Sequence, residues 1–509
     1  MTVIGPANPE PSTVHSFSRA LRWSYVLDGG RQIITTAITF VLARMLGPST
    51  FGLIALALVF VLFVDMLQRQ GLTAALVQRQ RLSERHLDAA FWAILGVSVG
   101  LTAISIALAG AWSRVNNLPE LQNVVIVLSL VIPIKGLIIV QDAVFRRAMD
   151  FRALAIRTNV AVVGGGITAL ALAAAGAGVW ALVGQQLTSA VLGLILIWKL
   201  SDWRPRMRFS WDALKDLLGF SSLSFLATAA VFVGNRSDAL LIGIFFGPVA
   251  AGLYYFVTRL VTMVTDLASR ALQSAALPEL SRFQNEPELF RHRTMTILGM
   301  SAMIALPLLA ILASTSDDVL KLIGEQEWGL ASGALQVLAL SGAFRALTMF
   351  VGPMLQAIGR PGRLARLSGF AAVISAATFI ATGAWLQDAS TGDQVIGLAS
   401  ARAAVGFIIF LVYMRQVLLL TGTTASACMR VVAPAFAAAT FAWGAALAMQ
   451  NIAAGLGLLP RLMLEVGAAG LAALVTLAAL EPRLQRFLAE LTTTARSRRQ
   501  RPSLTRPRR

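Results

Sequence analysis

The chain has one cysteine, Cys428, so it holds no intrachain disulfide and no thiolate cluster for a metal. Histidine is almost as scarce. His15, His86 and His292 are far apart and fall outside the apolar runs, and no metal-ligand set is expected from them. Charged residues make up 13% of the 509, about half the share of a soluble domain. No Gly-rich loop ending in Gly-Lys-Ser/Thr follows a strand-like run, which argues against ATP hydrolysis by the chain itself. Gly164-Gly165-Gly166 sits inside an apolar run and reads as a close-packing face. There is no ten-residue alternation of apolar and polar residues, so a membrane barrel is disfavoured. The stretch up to Ser18 lacks an apolar core with a cleavage site, so no removable signal peptide is expected. Nothing here points to a cofactor, a catalytic group or an enzyme.

Apolar runs are abundant. Hydrophobic residues are 57% of the chain, and Ala, Leu, Gly and Val dominate runs long enough to cross a bilayer as helices. Fourteen spans are expected, roughly 20–45, 52–77, 88–111, 121–145, 153–174, 179–199, 217–246, 250–277, 294–314, 329–357, 366–386, 394–414, 430–450 and 461–480. The expected fold is therefore all-α and polytopic.

The net charge of +18 would suggest nucleic acid in a soluble protein. Here the basic residues sit in alternate loops. One set holds Arg79–Arg85, Arg146–Arg157, Lys199–Lys215, Arg282–Arg293, Arg360–Arg366 and Arg415–Arg430; the other holds only Arg114, Lys321 and Arg461. The positive-inside rule makes the first set cytoplasmic and, with fourteen spans, both termini too. This leaves no nucleic-acid partner to be invoked. Outer loops are short; Ser316, in the longest of them, serves as a label site on that side and Ser210 on the other. Trp112, Trp180, Trp203 and Trp328 fall near span ends and read as interfacial anchors. The tail from Arg483 to Arg509 is polybasic and attracts anionic lipid headgroups.

Two links repeat. Leu46-Gly47-Pro48-Ser49-Thr50-Phe51-Gly52-Leu53 is echoed by Phe246-Gly247-Pro248-Val249-Ala250-Ala251-Gly252-Leu253. An even number of spans lies between them, so the repeat is parallel, with a pseudo-twofold along the membrane normal. The layout follows: a cytoplasmic segment 1–18, an N-lobe 19–200 of six spans, a linker 201–216, a C-lobe 217–416 of six spans, two extra spans in 417–482, and the tail 483–509.

Charges at membrane depth cost about 2.5–3.5 kcal/mol each, so they should face a cavity or a partner. They concentrate on the four spans beside the links. Arg31, Arg236 and Arg259 are the candidate substrate ligands of a cationic cavity. Asp28, Asp65, Arg69, Asp238, Asp266 and Arg270 are candidates for ion coupling or for charge pairs within a helix, at i and i+4 for Asp65/Arg69 and Asp266/Arg270. Lys135, Arg345, Arg402 and Glu465 stand alone in the sequence. A guanidinium remains protonated and grips phosphate with two charge-assisted hydrogen bonds, so such a cavity suits an anionic headgroup.

The first link, Gly178-Val179-Trp180-Ala181-Leu182-Val183-Gly184-Gln185-Gln186, Trp203-Arg204-Pro205-Arg206 and Asp238-Ala239-Leu240-Leu241-Ile242-Gly243 together resemble the lipopolysaccharide and O-antigen exporters, the colanic-acid-exporter type above all. The resemblance covers roughly residues 18–420. It implies the fold of the multidrug/oligosaccharidyl-lipid/polysaccharide flippase superfamily, with two six-helix lobes and a cavity between them. It also implies movement of a polyprenyl-diphosphate-linked oligosaccharide across the cytoplasmic membrane, with polysaccharide polymerase machinery as a further partner. A cation-coupled drug exporter of the same superfamily and a membrane glycosyltransferase or ligase are the competing readings. The first needs unpaired acids and the second a large outer loop.

Overall fold

The computed structural model describes residues 13–69, 76, 83–148, 150–218 and 222–480, and outside its description lie the side chains of 13–31, 33, 67–69, 151, 216–218, 222–235, 270, 271, 274, 325 and 326. Among the described residues there is no strand. Among the described residues, twelve helices are long and apolar enough to cross a membrane. The difference from fourteen spans has one cause. The structure runs Thr13–Arg69 and Ser222–Arg282 each as a single helix interrupted at one residue, where the sequence reading counts two spans.

Those two interruptions are Gly47 (φ 71°, ψ 170°) and Gly247 (φ 77°, ψ −172°). This region of backbone space is essentially closed to residues with a Cβ. The proline that follows each glycine enters the next helix at a tolerated first-turn position. The Gly-Pro pair thus breaks each long helix at the same place in the repeat.

The second glycine of each link has a different task. A Cβ on Gly52 would run into the Pro248 carbonyl oxygen, and a Cβ on Gly252 into the Pro48 carbonyl oxygen. The contact is reciprocal, and it holds the two backbones at a distance that only glycine permits. Phe51, Phe256 and Trp328 close around it. Trp328 lies 4.8 Å from Phe256 and 5.8 Å from Phe51, ring centre to ring centre, and Phe40 packs 5.6 Å from Phe256. Trp328 is 2% exposed, so it is not the interfacial anchor that its position at a span end suggests. The aromatic pairs draw it inward, each contributing about 0.5–1.5 kcal/mol beyond its buried area.

The chain divides into two compact units. The first comprises Met1–Met263, Ile323–Ala334 and Pro361–Val405; the second comprises Val264–Leu322, Leu335–Arg360 and Gly406–Arg509. In the first unit, Phe151–Ala174 packs tightly on Val179–Leu200, with Gly165 facing the Gln185 carbonyl and the Ser189 hydroxyl. This is the close packing expected of the triple glycine. The linker after Leu200 is docked rather than loose. Arg204 donates to the Trp198 carbonyl at 2.7 Å, the Arg206 amide donates to Asp88 at 3.1 Å, and the Arg206 guanidinium meets Glu84 at 2.7 Å. In the second unit, Ser316 and Asp318 are buried in the short helix Ser316–Lys321, so Ser316 is unsuited to labelling; Asp317 beside them is exposed. The polybasic tail lies outside the described residues.

The link geometry makes a direct prediction. Gly52→Ala or Gly252→Ala forces the neighbouring backbone away and should cost about 1–3 kcal/mol, a several-degree fall in the melting temperature of the purified protein. Gly96→Ala, at a helical site with open space around its Cβ, should leave the melt unchanged or raise it slightly.

Candidate functional site

Below the links lies a cleft of about 240 Å³ within the first unit. Five helical segments build it, Val162 of Phe151–Ala174 among them. Thr35, Thr39 and Leu42 come from before the Gly47 break, and Phe51, Ile54 and Leu58 from after it. Gln185, Gln186 and Ser189 come from Val179–Leu200, and Tyr255 and Arg259 from the second broken helix. Arg259 follows Gly247 by twelve residues, about 18 Å along the helix and so near mid-bilayer depth when the break lies at the membrane edge. Its guanidinium points Nη1 at the Tyr255 hydroxyl, 3.4 Å away.

The lining chemistry is lopsided. Among the described residues it holds one cation, no carboxylate, and a set of neutral hydrogen-bonding groups in Thr35, Thr39, Gln185, Gln186, Ser189 and Tyr255. Such a surface can grip one anionic group and offer hydroxyl and amide contacts to a polyhydroxyl neighbour. Gln185 and Gln186 belong to the Gly178–Gln186 motif, but sequence reasoning did not count them as site residues. The available signal was two adjacent amides inside an otherwise apolar helix.

The other site candidates are placed as follows. Arg236 is exposed and does not line this cleft. The side chains of Arg31, Asp28, Arg69 and Arg270 lie outside the described residues, so the expected i,i+4 partners of Asp65 and Asp266 do too. Asp65 has Lys135 at 3.6 Å. Asp266 has Arg345 at 3.8 Å. Asp238, 1% exposed, meets the Arg402 guanidinium, accepts from the Tyr254 hydroxyl at 2.7 Å, and accepts from the Ala239 amide at 2.8 Å. Glu465 takes Arg461 at 3.0 Å, and the same guanidinium reaches Asp318 at 2.9 Å.

The expectation that Lys135, Arg345, Arg402 and Glu465 stand alone is thereby corrected. Three of the four have partners many residues away, where burial makes an opposite charge essential. Glu465 has its partner one turn earlier, in a residue read as a loop charge.

The Asp238 cluster yields a test. Arg402→Ala leaves a buried carboxylate without its counter-charge and should cost about 3–5 kcal/mol. Asp238→Asn combined with Arg402→Gln should cost much less than the sum of the two single changes. A double-mutant cycle on thermal or denaturant melts measures the difference.

Comparison with known proteins agrees with this architecture. A family model described as "Polysaccharide biosynthesis protein" matches residues 41–332. The succinoglycan biosynthesis transport protein ExoT of Rhizobium meliloti (strain 1021) is 26% identical over 344 residues, 67% of this chain and 69% of that protein. The teichuronic acid biosynthesis protein TuaB of Bacillus subtilis (strain 168) is 27% identical over 305 residues, 58% of this chain and 62% of that one. The lipopolysaccharide biosynthesis protein WzxC of Escherichia coli (strain K12) is 22% identical over 322 residues, covering 63% and 65%. The matched part is thus between three fifths and seven tenths of these relatives' own length.

Among solved structures, the lipid II flippase MurJ in an inward closed conformation superposes with a TM-score of 0.71 at 12% identity, covering 92% of this chain and 99% of that one. An inward-facing multidrug resistance MATE family transporter of the MOP superfamily gives 0.58 at 18% identity, covering 77% and 96%. At these identities the likeness establishes the fold, which is the one expected. The family match takes in both Gly-Pro links, Arg259 and more than half of the 509 residues; the chain belongs to the polysaccharide biosynthesis protein family of membrane transporters.

Proposed function

We propose that this protein is a flippase that carries a polyprenyl-diphosphate-linked oligosaccharide across the cytoplasmic membrane by alternating access, for cell-surface polysaccharide synthesis. The observation that supports this most is the cleft lining: among the described residues Arg259 is its single charge, set among neutral hydrogen-bonding side chains. The diphosphate binds Arg259, the sugars make loose contacts with Gln185, Gln186 and Ser189, and the polyprenyl chain stays in the bilayer. Arg31 and Arg236 add positive charge along the same path. The two six-helix lobes 19–200 and 217–416 rock about the site, with 417–482 as added helices. Transport of this kind involves no covalent step, and polysaccharide polymerase machinery consumes its product.

The competing reading, a cation-coupled drug exporter, needs acids that face the pathway. Asp65, Asp238 and Asp266 each lie beside a basic group, which favours a role as charge pairs over coupling.

Arg259→Ala removes up to two charge-assisted hydrogen bonds to phosphate, each contributing about 1.5–3 kcal/mol, and should cut polysaccharide export at least tenfold at normal expression. Arg259→Lys should retain more, since it keeps the charge and loses the fork. Gln185→Ala with Gln186→Ala should show an intermediate loss. Export at the wild-type rate by Arg259→Ala, Arg31→Ala and Arg236→Ala alike, measured as surface polysaccharide per cell, sinks the cationic-cavity reading.

The basic loops and both termini are assigned to the cytoplasm. Single cysteines introduced in a Cys428→Ala background test this. Met207→Cys, at a site 90% exposed, should resist an impermeant thiol reagent added to intact cells, and Asp317→Cys should react. The reverse pattern inverts the topology.

A further inference from the structure

In the second unit, three spanning helices form a layer. Ala425–Ile452 packs closely against both Pro287–Ser314 and Leu458–Leu480, while those two barely touch each other. The middle helix meets its neighbour through alanines: Ala438, Ala442 and Ala446 pack with Ala469 and Ala473. Small side chains at the centre and separated outer helices leave a groove of about 1000 Å³. Its walls include Gly299, Met303, Ile304, Pro307, Gly470 and Leu474. Ile304 and Leu474 are exposed, so the groove opens onto the surface of the molecule.

One end of this groove is not apolar. Arg430 and His292 stand at its mouth. Both are exposed, and Arg430 has no carboxylate partner among the described residues. A second hollow of about 400 Å³ adjoins the mouth and carries His292, Thr423 and Thr424, with Glu288 beside Arg291. Glu288 is engaged by Arg291 at 2.8 Å, which leaves the Arg430 charge uncompensated among the described residues. From His292 to Ile304 the wall rises about 18 Å, more than the half-thickness of roughly 15 Å of a bilayer's hydrocarbon core. The methionines Met295, Met300 and Met303 line the same wall and adapt to a flexible chain.

We infer that this groove is a binding site for an anionic glycerophospholipid, with the phosphate at Arg430 and His292 and an acyl chain along the wall toward Ile304. Charge complementarity selects the headgroup, since an uncompensated guanidinium at the edge of an apolar surface favours net negative charge and pairs with phosphate through its fork. The site is separate from the Arg259 cleft, and its test needs no transport.

The test is native mass spectrometry of the purified full chain exchanged with defined lipids. Phosphatidylglycerol should be retained about tenfold better than phosphatidylcholine, as one charge-assisted hydrogen bond allows. Arg430→Glu should bring the two lipids level, and Arg430→Lys should keep most of the preference. Gly470→Trp should remove both lipids, because open space faces that position and a large ring fills the groove. Unaltered elution in size exclusion checks that each variant remains folded. The inference is overturned by equal retention of the two lipids in the wild type. It is also overturned by a preference that survives Arg430→Glu, by lipid retention unchanged in Gly470→Trp, or by undecaprenyl phosphate displacing phosphatidylglycerol at equal concentration. The last result would make the groove a seat for the polyprenyl carrier.

Discussion

The approach of two glycines to two carbonyl oxygens is the constraint on which the first unit depends. Gly52 sits against the carbonyl of Pro248, and Gly252 against that of Pro48. A contact in which each side presents the same surface is what twofold symmetry requires, and the Gly-Pro repeat supplies both halves of it. The breaks at Gly47 and Gly247 let each long helix change direction just before the contact. The aromatic rings of Phe51, Phe256 and Trp328 then seal around it. A change that opened this end would separate backbones and rings together. A ligand drives that change only by binding the open state more tightly.

Membrane charges follow a second rule. A carboxylate at depth is tolerated when a cation sits beside it. Asp238 has Arg402, Asp65 has Lys135, Asp266 has Arg345, and Glu465 has Arg461. The first three pairs fix helices to one another, the last lies within one helix, and the Asp238 cluster adds the Tyr254 hydroxyl. Arg259 differs in that it faces a cleft whose lining, among the described residues, holds no acid. The account of function turns on that difference.

Much of this was legible in the residues. The repeated links, the all-helical membrane class and the depth of Arg259 beside the second link follow from periodicity, glycine-proline punctuation and charge placement. Pairing was less legible. Asp238 and Arg402 are separated by most of a lobe, and only the packed structure brings them together. An i,i+4 rule sees partners on one helix and misses those on the next. Trp328 and Ser316 were misread for a related reason: a span end looks like an interface in sequence, whereas here the chain folds back and buries both. Gln185 and Gln186 had no charge to attract notice. In a cleft short of ionic groups, neutral amides carry the polar contacts.

The central claim is that the chain moves a diphosphate-linked glycan between leaflets. The most direct measurement reconstitutes the full chain in proteoliposomes with a polyprenyl-diphosphate oligosaccharide carrying a label on its sugars. The fraction of label accessible to an impermeant glycosidase or lectin is followed as lipid is drawn from the inner leaflet. The account predicts protein-dependent exposure of the inner pool, lost in Arg259→Ala and unaffected by Arg508→Ala. No protein-dependent exposure, together with accumulation of a cationic drug by the same vesicles, contradicts it.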